Sequence, residues 1–278
     1  MSQSVTNHLS IIDRRNLLVR GGAALATLAS GGQVLADATE ERPDLMTVFR
    51  HHEAAGTFVL YDVSGDRVIT VNRPRAEMRY VPASIFKIAN SLIALETGVV
   101  RDENEIIPYG GKPQPFKAWE KDMPMREAIA ASNVPIYQEL ARRIGLGRYN
   151  QWLDRLAYGN QQTGSSVETF WLDGPLQITA VEQARFTAAL AQWKLPASLR
   201  SQAIVHDILR LETIDGRVLY GKTGWRFSSV PQLGWWTGWV QRDGQIFAFA
   251  LNIDMASPAD AKKRVAIGKD MLGKLGIL

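Results

Sequence analysis

PASIFKIAN (82–90) sets Ser84 three residues ahead of Lys87 at the start of a helical run. Ile85, Ile88, Ala89, Leu92 and Leu95 follow at helical spacing and Gly98 closes the run, so the spacing predicts a helix over 84–98. Two readings of the serine are open. Either Ser84 caps the helix and Lys87 is an ordinary lysine, or Ser84 is a nucleophile and Lys87 its base. The first leaves Lys87 badly placed. A cation in the first turn opposes the helix dipole, and Ile85, Phe86 and Ile88 offer an ammonium little solvation. A neutral amine, or an anionic derivative of it, suits the position better.

Composition narrows the chemistry. The 278 residues are 46% apolar and 22% charged, which fits a globular chain with room for one large domain or two small ones. There is no cysteine, which excludes disulfides, thiol nucleophiles and thiolate metal sites. The four histidines, His8, His51, His52 and His206, have no zinc spacing, and none sits in a setting that marks a Ser–His–Asp base. A hydrolase here takes its base from another residue type. The net charge of +4 is scattered along the chain, so no nucleic-acid surface is expected.

The N-terminus reads as an address. Arg14 and Arg15 precede a short, Ala/Gly-rich, weakly apolar run that ends in small residues. This resembles a twin-arginine export leader over residues 1–36, cleaved after Ala36 or Ala38. The run is too short to span a bilayer. Its removal leaves one catalytic domain, 37–278, exported to the periplasm without stable membrane association.

Working outward from the Ser84 helix, GTFVLYDV (56–63) and VITVNR (68–73) read as strands around the turn SGDR. MREAIAASNVPIYQELARRIG, broken near Pro135, and ITAVEQARFTAALAQWK read as helices. RVLYGKTGW, LGWWTGWVQ and QIFAFALNID read as strands, and 258–275 as a last amphipathic helix. The expected fold is α/β of the α+β type. One antiparallel sheet is built from both chain ends and flanked by helices, with a helical region inserted over roughly 100–200.

Further short strings stand at intervals after the serine–lysine pair: Ser132-Asn133-Val134, Tyr158-Gly159-Asn160 and Lys222-Thr223-Gly224. Taken singly they read as a helix cap, a turn and a strand end. Taken together and in this order, with SIFK at 84–87, the chain resembles the class D, oxacillinase-type, serine β-lactamases. FKAWEKD (116–122), FWLDGPLQI (170–178), GWWTGWV (234–240) and LNID (251–254) are also similar to that family, so the likeness covers roughly residues 50–275.

The resemblance implies the serine β-lactamase and penicillin-binding transpeptidase fold, and hydrolysis of penicillin-type antibiotics with resistance as its consequence. Ser84 is then the acylated nucleophile. Lys87, carbamylated by CO2, is the base for acylation and deacylation, Val134 faces its amine, and the Trp171 indole holds the carbamate. Ser132 relays a proton and Lys222 sustains its polarity. Thr223, Gly224, Trp225, Tyr158 and Arg264 contact substrate, and the Ser84 and Trp225 N–H groups form the oxyanion hole. No metal or organic cofactor is implied, only CO2 or bicarbonate, and the protein is a monomer or homodimer. A membrane-tethered β-lactam sensor, a D-Ala-D-Ala peptidase and a non-catalytic binding module are the alternatives. Val134 disfavours the peptidase, and the filled catalytic positions disfavour the binding module.

Overall fold

The apolar runs from the two ends of the chain pair into one sheet. The computed structural model describes residues 38–278, so the expected leader lies outside the described residues. Strands are β1 (Ala38–Glu41), β2 (Gly56–Asp62), β3 (Arg67–Val71), β4 (Ile106–Ile107), β5 (Met123–Pro124), β6 (Arg210–Ile214), β7 (Arg217–Arg226), β8 (Gln232–Arg242) and β9 (Gln245–Met255). Helices are α1 (Met46–His51), α2 (Arg73–Ala76), α3 (Lys87–Glu96), α4 (Met125–Ala130), α5 (Val134–Ile144), α6 (Leu146–Arg155), α7 (Ala180–Ala191), α8 (Leu199–Leu209) and α9 (Lys263–Lys274). Seven strands form the sheet in the order β1-β3-β2-β9-β8-β7-β6, and β4 and β5 form a separate ribbon.

Period-two alternation divides the sheet's faces. Phe247, Phe249, Leu251 and Ile253 of β9 join Trp236 in a core under α1 and α9. Ala248 and Ala250 of the same strand point the other way, with Trp235 and Trp239, into the larger core under the remaining helices. Small residues there let α7, with Ala180, Ala184, Ala188 and Ala191 buried, pack closely on β9.

Three expectations need correction. The sheet is not wholly antiparallel: β1 pairs parallel with β3, Ala38 opposite Arg67. Parallel pairing needs a crossover, and α1 with β2 supplies it. The helical insert also starts late. Residues 108–118 carry Pro108, Pro113 and Pro115 with Gly110 and Gly111, which break regular structure. Helix begins at Met125 and runs on to Leu209, beyond the expected 200. The predicted helix over 84–98 resolves into a 3₁₀ turn, Ala83–Phe86, followed by α3.

Candidate active site

The 3₁₀ turn delivers Ser84 and Lys87 to one point. Lys87 Nζ donates to Ser84 Oγ at 2.7 Å. Ser84 is therefore not the side-chain cap of α3. Phe86 holds the N-cap position, without a side-chain capping bond, and the Ser84 hydroxyl is spent on the lysine. Ser84 is 6% exposed and Lys87 is fully buried. Burial, with repulsion from Lys222 second, holds the Lys87 amine well below the ordinary lysine range. The shift favours the neutral amine, the direction that the apolar neighbours in the sequence lead one to expect.

A second serine–lysine pair faces the first. Lys222 Nζ donates to Ser132 Oγ at 2.9 Å and to the Thr223 carbonyl at 2.8 Å. Ser132 holds a left-handed φ of 52° between α4 and α5, a conformation a non-glycine residue keeps only when its surroundings impose it. Asn133, not Ser132, caps α5: its side chain accepts from the Ile136 N–H at 3.1 Å. That frees the Ser132 hydroxyl for Lys222. Trp119 secures the turn, since its Nε1 donates to the Ala131 carbonyl and its own carbonyl accepts from Asn133 Nδ2. Neither Trp119 nor Asn133 was singled out from sequence. The Asn-Val-Pro string, a capping residue with proline at the second helical position, is the signal that marks Asn133.

Burial and, second, the Arg264 charge push the Lys222 pKa down to about 7. Between that value and the ordinary 10.5 the unfolded chain binds a proton that the folded chain does not. Stability is therefore expected to rise with pH across this window and to carry the full, constant penalty below it. Denaturant midpoints from pH 7 to 10 for wild type and Lys222→Met check this. An equally steep rise in the variant overturns the assignment to Lys222.

Strand β7 forms the opposite wall. Its pairing with β6 ends at Tyr220, and residues 221–226 are laddered only to β8. This free edge runs beside the Ser84 turn. Gly224 makes the approach possible, because a Cβ there would sit 3.1 Å from Ile85 Cγ2, the Pro82 carbonyl and Trp235 Cβ. Arg264 reaches over from α9. Its Nη1 donates to the Gly224 carbonyl at 2.6 Å, its guanidinium lies 5.6 Å from the Trp225 ring centre, and burial lowers its pKa to about 10. Gly234 leaves room for it, since a Cβ there would meet Arg264 Cδ at 2.7 Å.

Ser84, Ser132, Thr223, Gly224, Trp225 and Arg264 thus line one cleft of about 250 Å³, walled by Phe116, Trp119 and Phe227. A wider hollow of about 760 Å³ between α1 and α9 holds no paired nucleophile and base. Among the described residues no cluster of His, Asp and Glu fits a metal ion.

A nucleophile–amine pair, a second serine–lysine pair and a guanidinium around a free strand edge match one known family. The model of the penicillin-binding-protein transpeptidase domain fits residues 56–273. The β-lactamase OXA-48 of Klebsiella pneumoniae is 39% identical over 81% of this chain and 84% of its own. OXA-5 of Pseudomonas aeruginosa is 37% identical over 83% and 87%. A solved class D β-lactamase from Fusobacterium nucleatum subsp. polymorphum superposes with a TM-score of 0.83 at 38% identity, covering 86% of this chain and all of its own. The chain belongs to the class D β-lactamases.

The remaining motif residues of this class D chain divide by depth. Trp171 is fully buried against Phe86 and Phe170, yet its indole Nε1 has no acceptor. Packing alone leaves that N–H unexplained. Val134 is half-buried at the start of α5 and lines an adjoining hollow with Gln138 and Leu172. Tyr158 departs from the expected substrate contact. It is 1% exposed, lies 5.4 Å from the Phe86 ring, donates its hydroxyl to Gln183 at 2.9 Å, and burial raises its pKa. It supports the nucleophile turn from behind and does not line the cleft.

The rest of the YGN string ties down the segment that carries Trp171. Asn160 exchanges backbone and side-chain hydrogen bonds with Gln177 and donates from Nδ2 to the Pro175 carbonyl. Gly159 has φ 56°, and a Cβ there would sit 2.2 Å from the Gln177 carbonyl oxygen. Gly159→Ala is expected to destabilise this class D fold by about 2–4 kcal/mol, read as a lower denaturant midpoint. An unchanged midpoint would show that the segment shifts freely.

Proposed function

We propose that this protein hydrolyses the β-lactam ring of penicillin-type antibiotics through an acyl-enzyme on Ser84 and so confers resistance to them. The 2.7 Å contact between Lys87 Nζ and Ser84 Oγ carries the proposal. A buried neutral amine beside a hydroxyl is a base poised for its proton. The named activity of the relatives supports the same reading.

Ser84 Oγ gives its proton to the base at Lys87 and attacks the lactam carbonyl, the ring C–N bond breaks, and the ring nitrogen takes a proton from Ser132. Lys222, bonded to Ser132 Oγ, replenishes that proton and keeps the hydroxyl oriented. Water then gives a proton to the Lys87 base and attacks the acyl carbonyl, and the Ser84 Oγ–C bond breaks with Oγ taking a proton back. The lysine sites recover their starting protonation through solvent. The backbone N–H groups of Ser84 and Trp225 receive the oxyanion. Thr223 and Arg264 bind the substrate carboxylate, the guanidinium in a bidentate fork. Phe116, Trp119 and Phe227 shed water from the apolar side of the substrate.

CO2 fits the base site. A neutral Lys87 Nζ would add to CO2, with one C=O electron pair moving to oxygen and one proton released to solvent. Bound there, the group supplies a carboxylate-type base. Trp171, with its unspent Nε1, would hold it, and Val134 would limit the water that reaches it. The twin-arginine-type leader read from the sequence would direct export. No helix among the described residues is long and apolar enough to cross a membrane.

Purified protein with bicarbonate is expected to acquire the mass of a penicillin on Ser84 transiently and to turn over a chromogenic cephalosporin. Stable acylation without turnover would make it a sensor, and no acylation at all would sink the proposal. Arg264→Leu is expected to raise KM about tenfold or more for carboxylate-bearing substrates, with a smaller effect on kcat. A substrate methyl ester, lacking that carboxylate, should not discriminate between wild type and variant. Equal losses on both substrates would remove Arg264 from carboxylate binding.

A further inference from the structure

Helix α3 carries a buried polar stripe that the reaction uses only in part. Lys87, Asn90 and Ser91 stand at positions i, i+3 and i+4, on one face of the helix, and all three are sealed from solvent. Ser91 Oγ shares a 2.8 Å hydrogen bond with the Tyr137 hydroxyl, and the Tyr137 ring centre lies 5.2 Å from Lys87 Nζ. The Tyr149 hydroxyl donates to Asn90 Oδ1 at 2.8 Å. That bond fixes the amide and leaves Asn90 Nδ2 as a buried donor with no acceptor.

Trp171 Nε1 is in the same condition. The two belong to one cluster. Tyr149, which holds Asn90, and Trp171 lie 4.9 Å and 5.0 Å from the Phe170 ring. They lie 6.1 Å and 5.8 Å from the ring of Phe86, the residue before Lys87. Gln183 Nε2 is also unpaired, but it reaches this cluster only through the Tyr158 hydroxyl and has no helical register with Lys87. Buried donors without acceptors are rare, and each calls for an acceptor. One of them stands a helical turn from the buried amine, and the other packs on the ring of the residue before it. With no unpaired acceptor among the buried side chains of this cluster, the pair matches a negatively charged oxygen group.

We infer that Asn90 Nδ2 joins Trp171 Nε1 as a second anchor for the carboxylate that CO2 forms on Lys87, with Tyr149 the positioning residue that holds the Asn90 amide. The inference rests on the carbamate reading of Lys87. Position i+3 is the reason for preferring Asn90, because one helical turn brings its amide to the lysine side without any loop having to close. Loss of this donor weakens CO2 binding and raises the bicarbonate that the enzyme needs.

The test is a ¹³C-bicarbonate titration of the purified full chain, read as the carbamate carbon resonance in NMR and, in parallel, as the bicarbonate dependence of kcat. Asn90→Leu is expected to raise the bicarbonate midpoint at least tenfold. Tyr149→Phe, which removes one oxygen and keeps the ring, should raise it several-fold. Gln183→Leu, a buried donor outside the stripe, should leave the midpoint unchanged. A wild-type midpoint in both Asn90→Leu and Tyr149→Phe overturns the inference and makes the free amide the partner of a trapped water only. If Asn90→Leu does not fold, Tyr149→Phe decides alone. A wild type with no carbamate resonance at saturating bicarbonate is a separate result, which removes the Lys87 reading itself.

Discussion

Ser84→Ala is expected to lose turnover of every β-lactam by at least about 10⁴-fold while keeping the fold and substrate affinity. The loss is large because Ser84 Oγ is the one hydroxyl that meets both the buried Lys87 amine and the open cleft. Ser132 is no substitute, since its hydroxyl is paired with Lys222 and not with the Lys87 base. The variant removes one oxygen from a 6% exposed position, so its denaturant midpoint should stay close to that of wild type. Substrate mass on the protein is the decisive readout. Covalent acylation of Ser84→Ala at the wild-type rate would falsify the assignment of the nucleophile.

Lys87→Ala is expected to lower kcat by about 10²–10⁴-fold or more, the range for removal of a general base, and added bicarbonate should not restore it. The wild type should behave differently. Acid protonates the amine, and an ammonium cannot take up CO2, so activity falls as pH falls. Bicarbonate added at low pH should then recover part of the loss. The direction follows from burial: desolvation disfavours the charged lysine, and Lys222 adds repulsion, so the neutral form persists far below the usual lysine range. Full activity of Lys87→Ala in CO2-depleted buffer would exclude any base at this position.

Much of this is legible before any coordinates, for a physical reason. Ser84 and Lys87 lie within one turn, so their contact is local and spacing alone announces it. The long strands β7, β8 and β9 announce themselves through alternating apolar residues and the tight turn at Asp243 and Gly244. Strand β1 is invisible because ATEE has no strand preference of its own and is extended by its pairing with β3. The same holds for β6, where Arg210 and Glu212 face outward on the sheet edge. Tyr158 misleads for a related reason: its depth is set by Phe86 and Phe186, residues distant in sequence. Asn90 carries no signal at all. A lone amide in a helix reads as solvent-facing until the partners that bury it are known.

The pairing of β2 with β9 sets Gly56 opposite Ile253, and β9 is the fourth of the seven strands in the sheet. The last strand in chain order among the described residues is therefore the keystone of the sheet. Until residues near 255 emerge, β2 has no partner on its inner edge, and β8 has none on its far side. Arg264 arrives later still. Until β9 emerges the sheet can exist only as two separate ladders, β1-β3-β2 and β6-β7-β8, and joining them is a late, long-range step that is slow by nature. Termination before β9 leaves those two ladders unjoined and removes Arg264, so no such fragment carries the complete site.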